Sequence, residues 1–219
     1  MGLGEQATPS QPKNPQIIQR TGIPTQESFG RPTVLTTYPH WQYFLALERD
    51  LIETTYYVEM AAENFRTFSV AYARLFLTAG SEIDVLCKLL CHQINAATKA
   101  EKIDEYRQEI TASFPRFPSM RVLVPRYALV LEPWVAWSEQ DSPQWWGLHQ
   151  KVKHERHAYY QAANLENTLQ AVAALFCLVL YHYQPTLYAG ELLPWTQFFG
   201  LEHEPEHLMS EANYKLPDF

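Results

Sequence analysis

The chain has 219 residues, 47% of them hydrophobic and 14% aromatic, which is enough for one substantial core filled largely by rings. With 17 Lys and Arg against 24 Asp and Glu the net charge is −7, so the molecule as a whole is not drawn to nucleic acid, and any RNA or nucleotide site has to be a local basic patch. Three scattered cysteines with no Cys-x-x-Cys pair argue against a disulfide framework, and the polar N-terminus and short apolar runs argue against a secretory signal or a membrane span, so a cytoplasmic protein is expected.

Residues 1–38 carry Pro12, Pro15, Pro24, Pro32, Gly22 and Gly30 without sustained periodicity, which predicts a flexible or loosely docked arm. From Trp41 to Met60, Trp41, Phe44, Leu45, Leu47, Leu51 and Ile52 are spaced for one helical face, and Tyr38-Pro39-His40 marks the start. A long, strongly apolar helix is predicted from about Arg66 to Ala97, with Gly80 as the place where it bends. Glu101 to Ala112 predicts a shorter charged helix. Between Phe114 and Trp137, four prolines forbid a long helix, and Arg121–Val124 with Tyr127–Leu131 predict a small hairpin or an extended cover. Ser142 as N-cap and Pro143 at the first helical position start the next helix, which reaches about Tyr160. Asn164 caps the last main helix, which runs to about Tyr183. Residues 186–219 predict a tail of short turns packed on the rest, with Trp195, Phe198 and Phe199 as a lid. The fold expected is all-α: an antiparallel helical bundle of four main helices over residues 39–185, with a small irregular or hairpin insertion at about 114–140.

One stretch stands apart. His149-Gln150-Lys151-Val152-Lys153-His154-Glu155-Arg156-His157 gathers three histidines, two lysines and an arginine in an otherwise acidic chain. With about 100° per residue, Trp145, Leu148, Val152 and Tyr159 fall toward the core, whereas Gln150, His154 and His157 fall on the opposite face. Trp146 and Lys153 lie at its margin, and Arg156 lies nearer the apolar side, where it can reach outward or pair with a buried carboxylate. RNA cleavage needs a proton acceptor and positive charge on the phosphate. His154 suits the first role, and Lys153, Lys151 or Arg156 the second, while Gln150 orients substrate or histidine. Trp146 is the ring free to stack a base. The competing reading is a solvated polar face. His154 and His157 share helical spacing but lack a third ligand, so no metal and no cofactor are expected.

The pattern Trp145-Trp146…Gln150-x-x-Lys153-His154-x-Arg156…Ala163-Asn164-Leu165-x-Asn167…Ala173-Ala174-Leu175-Phe176 resembles a group of bacterial HEPN-like proteins. Upstream, Tyr57-Val58-Glu59…Glu63-Asn64-Phe65-x-x-Phe68-Ser69 and Ser81-Glu82-x-Asp84 extend the resemblance over roughly residues 41–184. It implies an antiparallel helical bundle, often dimeric, and in many members a metal-independent RNase of toxin–antitoxin or phage-defence systems. The implied partners are a second copy, RNA or a nucleotide, and an antitoxin or nucleotidyltransferase. The family motif is Arg-polar-x-x-x-His. Here His154 takes the histidine place, Gln150 the polar place, and His149 stands where the arginine belongs, which also makes His149 a catalytic candidate. The resemblance further makes Glu82 a supporting acid near His154. The residues alone favour structural pairing for Glu82 and Asp84, either Asp84 with Lys88 at i, i+4 or an acid holding Arg156 or Lys153. The departure at His149 leaves two readings: an endoribonuclease, or an inactive HEPN-like module that binds RNA, a nucleotide or a protein.

Overall fold

Pro39 presets the backbone of a first helical turn, and helix α1 (Pro39–Thr54) follows it. The computed structural model describes residues 1, 37–202 and 216–218. The chain divides into two units, Met1–Thr37 and Tyr38–Phe219. The predicted arm lies almost wholly outside the described residues.

Helix α2 (Val70–Ile94) starts where the Ser69 hydroxyl accepts the Tyr72 N–H at 3.1 Å. It passes Gly80 without interruption. Helix α3 (Ile103–Ser113) opens with the Glu105 carboxylate accepting the N–H groups of Glu101 and Lys102 at 2.8 and 3.2 Å. Helix α4 (Gln144–Tyr159) has Pro143 at its N-cap, one residue later than expected. Ser142 does not cap it, and its hydroxyl donates to Asp104 instead. Helix α5 (Leu165–His182) begins as predicted, with the Asn164 side chain accepting the Asn167 N–H at 3.0 Å. A short α6 (Gln184–Tyr188) follows.

The main helices alternate in direction. The N-terminal end of α1 meets the middle of α2 through His40 and Glu82, and its far end lies beside Ala71, Arg74 and Leu75. α2 and α5 run the same way. Thr168 near the start of α5 reaches the Tyr72 carbonyl, and Gln93 near the end of α2 reaches His182. These two helices make the most extensive helix pair. Every residue of α5 from Ala171 to Tyr181 is buried. By length and composition α5 is apolar enough to cross a membrane, and in this fold 78% of it is buried. Full burial of each large aliphatic or Phe side chain there contributes about 1.5–3 kcal/mol.

The chain is mostly helical but not all-α. The hairpin forms as β1 (Val122–Val124) and β2 (Leu129–Leu131), antiparallel with Val122 opposite Leu131. A third strand, β3 (Gly200–Leu201), adds to β1 from the tail, giving the order β2-β1-β3. Expected as an insertion on a helical bundle, the hairpin is therefore part of a sheet closed by the C-terminal segment. Trp134 anchors this layer to α5 by donating its indole N–H to the Ala174 carbonyl at 3.2 Å.

Candidate functional site

Helix α4 is interrupted inside the basic stretch. Glu155 has φ −134° and ψ 45°, outside the helical region, so the wheel that places residues 144–154 does not carry on to Arg156 and His157. The break turns Arg156 outward, where it is exposed, and no carboxylate pairs with it among the described residues. Of the two expectations for Arg156, reaching outward holds and pairing with a buried carboxylate does not.

Lys153, His154, Arg156 and His157 line one cavity of about 900 Å³, together with Arg74 from α2 and Tyr160. Val70, Ala73, Leu77 and Val152 supply its apolar lining. No carboxylate lines it, and neither arginine nor Lys153 forms an ion pair among the described residues. The cavity therefore concentrates positive charge on a protein whose net charge is −7. Such a groove suits phosphate oxygens, which a guanidinium binds by paired N–H donors and an ammonium as a point charge. Sequence reasoning missed Arg74 and Tyr160. Arg74 carried a signal: it is the one charged residue between Val70 and Ser81.

Four expected members are not in the groove. His149 is 1% exposed, five residues before His154 and on the buried side of the helix. Its ring stacks on Trp146 at 5.4 Å and meets Phe76 edge-on at 5.6 Å. Burial lowers its pKa to about 4, with the Leu77 backbone pulling the other way and Lys153 and His154 adding to the fall. His149 and His154 thus do not form a catalytic pair. Gln150 lies 3.4 Å from His149 Nδ1, so it contacts the buried ring rather than His154. Trp146 is only 8% exposed and already stacked, so it does not offer a free face to a base. Lys151 lies over the Tyr159 ring at 5.2 Å and does not line the cavity.

The acids of α2 are committed elsewhere. Glu82 pairs with His40 Nδ1 at 2.5 Å, with neither Arg156 nor Lys153, and does not support His154. Asp84 accepts from Lys88 at 2.6 Å, as its i, i+4 spacing predicts, and from the Tyr106 hydroxyl at 3.0 Å. His40 belongs to a second polar cluster unforeseen from the sequence, edge-on to the His182 ring at 5.4 Å. His182 lies below its ordinary value at about 4, through burial and then through His40. Cys87, Cys91 and Cys177 are buried free thiols held above their ordinary values by burial, Cys91 at about 12. Among the described residues no three His, Cys, Asp or Glu side chains converge to hold a metal ion.

No family model, curated protein or solved structure matches this chain.

Proposed function

We propose that this protein is a HEPN-like module that binds the phosphodiester backbone of single-stranded RNA in the groove between α2 and the bent end of α4. The observation carrying this reading is the convergence of Arg74, Lys153, His154, Arg156 and His157 on one cavity with no acid in its lining. None of its cations forms an ion pair with a carboxylate among the described residues, which leaves them available to phosphates. The resemblance over residues 41–184 points to RNA as the polyanion. A second copy meeting on this face would double the positive patch, which makes a homodimer the proposed assembly.

Binding rather than cleavage is the reading favoured by His149. The residue in the place of the family's arginine is a buried, depressed histidine that supplies no positive charge to the groove. Cleavage is the second reading, and one observation supports it: His154 and His157 both line the groove, as an acid and a base would.

The test is fluorescence anisotropy with a labelled single-stranded RNA in EDTA across a salt series. Affinity should fall steeply with salt. Lys153→Ala and Arg156→Ala should each weaken binding and flatten the log–log slope by about 0.7, the counterion release of one single-strand phosphate contact. Binding that ignores salt and both substitutions would remove the groove from consideration. Recovering the RNA at the end decides between the readings: intact strands support the module, and cleavage lost in His154→Ala supports the nuclease.

A further inference from the structure

Phe68 and Tyr160 pack edge-on with ring centroids 5.3 Å apart. Tyr160 lines the basic groove, and Phe68 lines a different cavity of about 650 Å³. The aromatic pair is thus a wall common to both. The second cavity has the size of a small-molecule site. Its apolar lining comes from Phe68, Pro133, Val135, Trp145, Leu148 and Tyr159. Trp145 is fixed in place, since its indole N–H donates to the Pro133 carbonyl at 2.8 Å.

The polar groups here differ in kind from those of the groove. Gln144, Gln161, Asn164, Asn167 and Gln170 contribute amides, beside one guanidinium, that of Arg66. Gln170 Oε1 is shielded from solvent and has no hydrogen-bond partner among the described residues, an arrangement that is costly unless something else supplies a donor. Two carboxylates, Glu132 and Glu166, outnumber the one cation, Arg66, so this lining is less favourable to a phosphate than the groove's. Apolar and aromatic walls with several side-chain amides suit a neutral aromatic ring with N–H groups on its edge. A nucleobase is such a ring. A side-chain amide presents a donor and an acceptor together and meets a base edge with either assignment of its two atoms.

We infer that the cavity beside Phe68 receives one unstacked nucleobase of the strand whose phosphates occupy the basic groove. This rests on the phosphate-groove reading and adds what that reading lacks, a place where a base is held. Phe68, 48% exposed, is the rim that the base passes and stacks against. Its edge faces the amides of the lining.

The experiment compares a short single-stranded RNA with an abasic strand of the same length and phosphate count, both against the full chain. The intact strand should bind about ten-fold more tightly, within the range of one base–aromatic stack, with an equal salt slope. Leu148→Trp, which fills the cavity, should erase that difference and leave abasic binding unchanged. Phe68→Ala is the companion variant: its side chain is half exposed, so it keeps the question open if Leu148→Trp does not fold, and it should also narrow the difference. Equal binding of intact and abasic strands by the wild type, with the salt dependence kept, overturns the base pocket and leaves the groove standing. Failure of both strands to bind overturns groove and pocket together. Adenosine and uridine monophosphates as competitors identify the carrier: they should compete at least about ten-fold more weakly than the strand, and competition as strong as the strand's overturns a strand-borne base.

Discussion

Gly80 and His149 illustrate how far one side chain's setting depends on another element. A Cβ built on Gly80 would lie 2.3 Å from His149 Nε2, closer than non-bonded atoms approach. The glycine therefore acts as a notch in α2 that admits the imidazole, despite a helix propensity about 1 kcal/mol below that of alanine. On an exposed face Gly80→Ala would stabilise by that amount. Here it should destabilise the protein by about 1–3 kcal/mol, because either the ring or the helix must move. The cause is specific, so His149→Ala in the same chain should recover part of the loss, giving a coupling of about 1 kcal/mol or more in a urea-denaturation cycle. Additive effects of the two substitutions would refute the notch. The same pair shows why the site was only half legible. Trp145, His149 and Val152 follow i, i+4, i+7 spacing, so the wheel that assigned Trp145 and Val152 to the core also puts His149 there. The family motif, by contrast, placed His149 among the catalytic groups. For Trp146 the wheel gave only a marginal position, and its burial depends on stacking against a ring that the family motif had assigned to the catalytic groups.

At the scale of elements, one carboxylate of α1 gathers the backbone donors of the tail just before β3. Glu48 is 2% exposed and accepts the backbone N–H groups of Gln197, Phe198 and Phe199 at 3.0, 3.0 and 3.3 Å, as well as the Thr196 hydroxyl. These bonds precede Gly200–Leu201 directly and set where β3 joins the sheet. Glu48→Ala should destabilise by about 3 kcal/mol, since it leaves buried donors unpaired, and Glu48→Gln by less because one acceptor oxygen survives. Hydrogen–deuterium exchange would locate the loss: amides of residues 197–201 should exchange faster in Glu48→Ala, while those of α5 keep their protection. Uniform acceleration across the protein would contradict this local role. None of this was readable beforehand. A glutamate inside an amphipathic helix looks like solvent-facing charge, and its partners are backbone groups some 150 positions later. The helices were legible because periodicity and caps are local: Tyr38-Pro39, Asn164 and the starts of α2 and α3 lie within a few residues of their predicted places. A two-residue strand from the tail has no periodicity to detect, and the break at Glu155 occurs inside a run of good helix formers.

Over the whole molecule, a net charge of −7 works against a polyanionic ligand, so both binding and folding should depend on conditions. Two histidines make the fold's pH dependence predictable in sign. His149 and His182 are each held at about 4 when folded, mainly by burial, against about 6.5 for an unperturbed histidine. Between those values the unfolded chain binds protons that the folded chain refuses. Unfolding is therefore favoured progressively as pH falls from about 6.5 to about 4, and the stability that these groups permit is fully present only above that window. For His149, the more enclosed of the two, the cost integrates to at most about 3 kcal/mol, or about 1.4 kcal/mol per pH unit inside the window. Urea midpoints measured from pH 7.5 to 4.5 should decline accordingly. His149→Phe keeps a flat ring between Trp146 and Gly80 but cannot take a proton, so its decline should be shallower than the wild type's even if its stability at pH 7.5 is lower. Carboxylate titration contributes to both proteins alike, which is why the difference in slope, not the absolute loss, carries the conclusion. Parallel declines would mean that the buried imidazole reaches a solvated, protonated state without unfolding, and the enclosed notch at Gly80 would then have to open under acid.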